Sequence, residues 1–554
     1  MIGVIAGPSE HDAVREFFEL FKTPWEFYRN GRQYDVLLCT VSDSRDEGAK
    51  LVILYAGKRT DSDDRQKVKT NRGAQPAVLT YRRNRIPIYG DSVTFPEAAT
   101  SLLADVCSHE AAAYLDQSGP RVTVRVGYDL FGEVGKLLTV GQPPSNADMP
   151  ALELHIALLR DLITECGVAV VEVPPVPQGY SFTVCLTHDV DHPSIRQHRW
   201  DHTMLGFLFR AVLGSLHRWM SGRISFRNVW KNWAAAAKLP LVYLGLARDF
   251  WRDFDDCYLE LENGLPSTFF VIPFKDCPGS RPDGPAPRLR AAAYGAADIA
   301  NAINKLMAAG CEVGLHGIDA WFDSDRAVKE LEEIRRLTGP SEIGVRMHWL
   351  YYDGQSSATL EKAGAAYDST IGYNEAVGYR AGATQVYKPL QAARLLELPL
   401  HVMDTALFYT DYLGLSPEQA TAVLARLVDN AAKFGGCLTI NWHDRSLAPE
   451  RLWDKCYQDL IQNLKSRGAW FATAGQATDW FRKRRSVLFE TGSTDQSTVC
   501  ARMSADRGSV LPGLRLRIHK AQELCRIGAR DSDDFVDTPF DESVGAGALC
   551  GVQR

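Results

Sequence analysis

Two carboxylates and two imidazoles crowd into Leu186-Thr187-His188-Asp189-Val190-Asp191-His192-Pro193, at the end of an apolar run. Carboxylates at i and i+2 past a strand end can do different work if the chain turns there. One can face a metal ion while the other stands beside it as a base. A solvated loop capping a helix would also use such residues, so the motif needs company. His316 supplies some, ending a strand-like run flanked by Gly314 and Gly317. Arg346 and His348 alternate in the run 344–350 and so share one face. His443 closes the apolar run 437–443. A lone histidine in such a run is more often structural than a ligand; several in order, each at a strand end, point to one site.

The elements that would position these residues recur along 178–485. Strands are expected at 181–189, 267–274, 311–317, 344–350, 365–371, 396–402, 437–443 and 469–475. Amphipathic helices between them stop at Gly310 and Gly339, glycine being the common residue just past a helix end. This alternation predicts a parallel (β/α) barrel. Asp189, Asp191, His316, His348, Asp368, His401 and His443 all fall at the C-terminal ends of these strands, the rim where barrel enzymes place their chemistry.

Residues 1–175 also alternate apolar runs with helix-like stretches. Strands are expected near Val4, at 34–40 and at 50–57, and helices over 13–21 and 152–166, so a smaller α/β domain should precede the barrel. No catalytic constellation appears in it. The proline-rich stretch 171–181 marks the boundary. Beyond 485 the pattern fades into a Ser/Thr/Gly-rich and then acidic segment, expected to be a poorly ordered tail with one edge strand near 511–520.

Over 554 residues, 45% are hydrophobic and 23% charged, with a net charge of −6. That is a globular composition without the basic excess that nucleic-acid binding needs. Twelve cysteines contain no C-x-x-C pair, which argues against a cysteine metal site and for a reducing compartment. The N-terminus lacks a basic, then apolar, leader, and no run of about 18 apolar residues occurs. The expected location is the cytoplasm.

The region 181–482 resembles the polysaccharide deacetylases, NodB-like carbohydrate esterases built on a distorted (β/α) barrel, in a divergent branch with an added N-terminal α/β domain. Their first motif, T-F-D-D-G or a D-V-D variant, is matched by Thr187 to Asp191. The resemblance makes Asp189 the catalytic base and Asp191 a metal ligand. Of the second motif, H-[ST]-x-x-x-H or H-x-x-x-H, only the first histidine survives, as His316; position 320 is Ala320. The third, R-x-P, appears as Arg346-Met347-His348. Its arginine orients the base, and His348, in place of proline, is expected to supply the missing ligand. The last, leucine–x–histidine, is Asn441-Trp442-His443, whose histidine is the general acid. Its acidic partner would be Asp404 or Asp368. Two histidines and one carboxylate suit Zn²⁺ and leave positions open for water and substrate. The implied activity is removal of N-acetyl groups from a sugar or glycan.

Several alternatives accompany this reading. His198 and His202, four apart, would share a helix face and could form a rival metal site, although surface or substrate-contacting roles suit them better. His401 is read as a rim residue near substrate. The loss at Ala320 leaves room for an inactive glycan-binding module, and a hydrolase of small cyclic amides could use the same barrel. Finally, a helical insertion at 203–262 is rich in Phe, Leu, Trp and Arg. It either packs on the barrel or, through 203–233, meets a membrane or a lipid-linked glycan.

Overall fold

The computed structural model describes residues 1–41, 49–82, 84–98, 100–117, 121–222, 224–251, 254–339, 342–491, 498–503, 511–522, 535–540 and 552–553. The expected strands of the first unit form at Ile2–Ile5, Val36–Cys39 and Leu51–Tyr55, paired in parallel. They belong to a nine-stranded mixed sheet. Its other half is an antiparallel series, Ala77–Tyr81, Asn84–Ile88, Ser101–Asp105 and Ala111–Asp116. That half escaped sequence analysis because its outer faces also carry apolar residues: Ala77–Tyr81 is buried at every second position, yet Val78 on the other face blurs the alternation in the sequence. Helices His11–Phe21 and Ala151–Glu165 pack against the sheet near the expected bounds.

The second unit is a seven-stranded parallel sheet that curls into a barrel. Phe182–Val190 is flanked by Ser267–Val271 and Cys437–Asn441; Ser267–Val271 pairs onward to Glu312–Gly317, and that strand to Val345–Met347. Single bridges then carry the wall from Val345 to Asp368 and from Asp368 to Glu397. The same chain continues to Val402–Met403, which pairs with Cys437–Asn441 and closes the ring. Phe182–Val190 and Cys437–Asn441 are buried throughout, so they read as continuous apolar runs.

Two expected strands are reduced. The stretch 365–371 contributes only the Asp368 bridge, and 396–402 little beyond Glu397 until Val402. Side chains take over the ladder there. Thr370 Oγ1 accepts from the Met347 N–H at 3.0 Å and Glu397 Oε1 from the Ile371 N–H at 2.7 Å, the local competition that polar side chains offer regular structure. The expected strand 344–350 also ends early. Past Met347 the chain enters a tight turn in which Trp349 (φ 65°) and Leu350 (φ 54°) are both left-handed.

The two units share packing. Ile371, Ala381, Ala383 and Tyr387 of the barrel join the core of the first unit. The buried Arg484 guanidinium donates to the carbonyls of Val173 and Leu20, at 2.9 and 2.8 Å, and to that of Glu19. In the C-terminal segment Arg515–His519 pairs on both sides, with Val170–Glu172 and Phe535–Pro539. It is therefore a central strand rather than the edge strand expected. Much of the remaining segment, where a poorly ordered tail was expected, lies outside the described residues.

Candidate active site

Period-two alternation places Thr187, Asp189 and Asp191 on one side of their strand and its exit and His188 on the other. His188 is accordingly buried behind the barrel wall, Nδ1 donating to the Trp442 carbonyl at 2.8 Å and Nε2 lying 2.9 Å from Glu262. It supports the wall and takes no part in the site.

Asp189 is gripped at both oxygens. Arg346 Nη1 donates to Oδ1 at 3.0 Å and Asn441 Nδ2 to Oδ2 at 2.7 Å. Arg346 is itself fully buried, donating also to Thr187 Oγ1 (2.7 Å) and the Ser369 carbonyl (3.0 Å), with its guanidinium 4.5 Å from the centre of the Phe270 ring.

Asp191, His316 and His348 converge, each offering one ligand atom within 4.8 Å of the others. His316 Nε2 lies 3.4 Å and His348 Nε2 3.6 Å from Asp191 Oδ1. Ligand atoms about 2.0–2.1 Å from a tetrahedral ion stand about 3.3–3.4 Å apart, so the spacing suits a first-row divalent cation. Asp191 Oδ1 is buried without a hydrogen-bond partner, an expensive state unless something cationic completes it. His316 Nδ1 donates to the Arg346 carbonyl at 3.0 Å, which fixes the tautomer and leaves the Nε2 lone pair facing Asp191. Burial, only partly offset by Asp191, pushes His348 down to about 3, keeping it the neutral imidazole that a metal requires. These residues fit a divalent ion.

His443 stands at the edge of this group, Nε2 3.8 Å from Asp191 Oδ2. Of the two candidate partners Asp404 is the one present: His443 Nδ1 donates to its Oδ1 at 2.6 Å and the His443 N–H to its Oδ2 at 2.7 Å. Ser446 Oγ donates to the same carboxylate. Burial alone would neutralise the His443 imidazolium. The Asp404 charge and hydrogen bond, with help from Asp191 and Asp189, outweigh it and raise the group to about 10.

Other expectations need correction. Asp368 faces Thr370 and Glu397 inside the wall, its carboxyl raised by burial to about 6. His401 is buried below the rim, donating from Nε2 to the Ala383 carbonyl at 3.0 Å and accepting the Thr439 N–H at 3.2 Å; it cannot meet substrate. His198 and His202 share no helix face, because the helix begins at His202. His198 is instead buried in a chain, Nε2 3.0 Å from His192 Nδ1 and Nδ1 donating to Asp201 at 2.7 Å. Among the described residues Asp191, His316 and His348 are the group able to hold a metal.

Two contributors were missed. Asn441, two residues before His443 on the same strand face, was visible in the motif but had no role. Arg290 donates from Nη2 to the carbonyls of His348 (2.8 Å) and Ile318 (3.0 Å). It pins the turn that presents His348, and no local signal marked it.

No family model and no curated protein matches the chain. Solved structures do match part of the chain. It is similar to polysaccharide deacetylases. One, from Mycobacterium smegmatis, shares 19% identity over 56% of this chain and 94% of its own, with a TM-score of 0.34. Another, from Pseudomonas aeruginosa PAO1, shares 16% over 56% and 94%, with a TM-score of 0.34. PuuE allantoinase shares 15% over 56% and 92%, with a TM-score of 0.32.

Proposed function

We propose that this chain is a metal-dependent hydrolase that removes N-acetyl groups from a sugar or polysaccharide precursor. The observation carrying the proposal is the convergence of Asp191, His316 and His348, with Asp191 Oδ1 left unpartnered, beside a clamped carboxylate and a histidine–aspartate pair. A bound divalent ion, taken here as Zn²⁺, would supply Lewis acidity toward water and the acetamide carbonyl.

The remaining work falls to the protein. Arg346 and Asn441 hold Asp189 in one orientation, placed to take a proton from the attacking water. An amide anion cannot leave unaided, so a proton must reach the departing nitrogen. His443 is built to give it: Nδ1 is committed to Asp404, the raised pKa keeps the ring cationic, and Nε2–H is the proton available. Asp189 gains one proton as His443 loses one, and exchange with solvent restores both. The sugar as substrate class rests on the motif resemblance.

The test is acetate release from N-acetylhexosamine oligomers by zinc-loaded protein, measured beside metal content. Asp189→Asn should abolish release and keep the metal. Retention of glycan without acetate release would leave a binding module; a ring-opened cyclic amide without acetate would make the chain another kind of C–N hydrolase.

A further inference from the structure

The insertion that leaves the barrel after Asp191 is coated on its outer side with side chains that water does not favour. Helix Phe226–Tyr243 buries Val229, and it packs Ala235, Leu239 and Val242 with Met204 and Phe207 of helix His202–Phe209. Its other side is not polar. Phe226, Trp230, Leu241 and, just beyond its end, Leu244 are four, eleven and three residues apart, close to whole helical turns, and so form one stripe. Trp230 is 59% and Leu244 71% exposed. The neighbouring helix adds Trp219 and Met220, the latter 74% exposed. Trp219, Phe226 and Trp230 touch in series, their ring centres 5.3 and 6.4 Å apart.

Charge chooses the occupant. From 202 to 248 the sequence has no Asp or Glu, while Arg210, Arg218, Arg227, Lys231 and Lys238 recur. The whole chain carries −6, so the cations are segregated here. Arg227, Lys231 and Lys238 line one edge of the apolar stripe and are exposed. Aromatic and aliphatic side chains bordered by cations match the interfacial zone of a bilayer with anionic headgroups. No described helix is long and apolar enough to cross a membrane, so the contact is with the surface. A second copy of this chain would bring the same cations against themselves.

We propose that this insertion is a docking surface for an anionic lipid bilayer. It is braced on the loop that follows His443: Arg218 Nη2 donates to the Glu450 carbonyl at 3.0 Å and the Arg445 guanidinium lies 5.1 Å from the centre of the Trp251 ring. Docking therefore brings the mouth of the barrel to the membrane, within reach of a glycan carried on a lipid. The docking itself does not depend on the deacetylase reading.

The experiment is cosedimentation of the full-length protein with vesicles of phosphatidylcholine alone or mixed with phosphatidylglycerol. Binding is expected only to the mixed vesicles and should weaken as salt is raised. Phe226→Ser with Trp230→Ser, and separately Arg227→Glu with Lys231→Glu, should each weaken it by about tenfold or more. Zinc content and far-UV circular dichroism should stay unchanged, since none of the four side chains reaches the site. No sedimentation with either vesicle, equal binding to both, or undiminished binding by both variants overturns the proposal. Self-association that these substitutions abolish, without vesicle binding, assigns the surface to a second copy and overturns it equally.

Discussion

Asn441 holds Asp189 from two directions. Its Nδ2 donates to the carboxylate at 2.7 Å, and its Oδ1 accepts the Asp189 backbone N–H at 3.1 Å. The amide is thus matched in both senses to one residue on the neighbouring strand, and a leucine of similar size satisfies neither bond. Asn441→Leu should lower kcat for acetate release by about 10²-fold, within the range for losing a positioned general base, and leave zinc stoichiometry unchanged. A parallel loss of zinc would show that Asn441 serves the ligand set instead.

Metal retention should depend on three side chains and on one they lean on. His316→Ala and His348→Ala are expected to abolish stoichiometric zinc. Arg290→Ala removes the bond that pins the His348 carbonyl and should weaken zinc binding about 10–100-fold, the usual cost of an outer support. Competition with a chromogenic chelator measures all three; full zinc affinity in His348→Ala would remove that residue from the site.

The His443–Asp404 pair sets a pH dependence of known sign. The folded-state pKa of His443 is raised, to about 10, above an ordinary value of about 6.5. The protonated acid is therefore present at neutral pH, and its contribution to stability is complete below about 6.5 and lost as pH rises through the folded value. A cation at Asp191 offsets part of the surrounding negative charge, so the alkaline limb of kcat should lie somewhat below 10. Asp404→Asn should move that limb down, toward the ordinary value. An alkaline limb unmoved in Asp404→Asn would exclude His443 as its source.

Arg484 tests how firmly the two units are joined. Its guanidinium satisfies the carbonyls of Glu19, Leu20 and Val173, and burial lowers its pKa to about 10. Arg484→Ala strands those acceptors, at about 1–3 kcal/mol for each buried group left unmade. A fall in chemical-denaturation stability of about 3 kcal/mol or more is expected. A change within about 0.5 kcal/mol would mean that water replaces the arginine.

The barrel was legible because its strands are buried on both faces and end in polar residues, as Cys437–Asn441 followed by His443 illustrates. Spacing along the chain also placed Asp191, His316 and His348 on one rim. Long-range partners were not legible: Asp404 and Asp368 were equal candidates for His443 until the fold paired it with Asp404. His401 was misread for the same reason, since its backbone partners Ala383 and Thr439 come from separate segments. The antiparallel half of the first sheet stayed hidden because segments such as Ala77–Tyr81 carry apolar side chains on both faces, so that burial alternates where the sequence does not.

The consecutive left-handed residues Trp349 and Leu350 make the loop after His348 a loaded spring. Bulky side chains hold that conformation at about 1–3 kcal/mol each, whereas glycine adopts it freely. Trp349→Gly should therefore relax the backbone while loosening the imidazole it presents. The protein would gain heat resistance and lose its hold on the cation, an exchange open to engineering from either end.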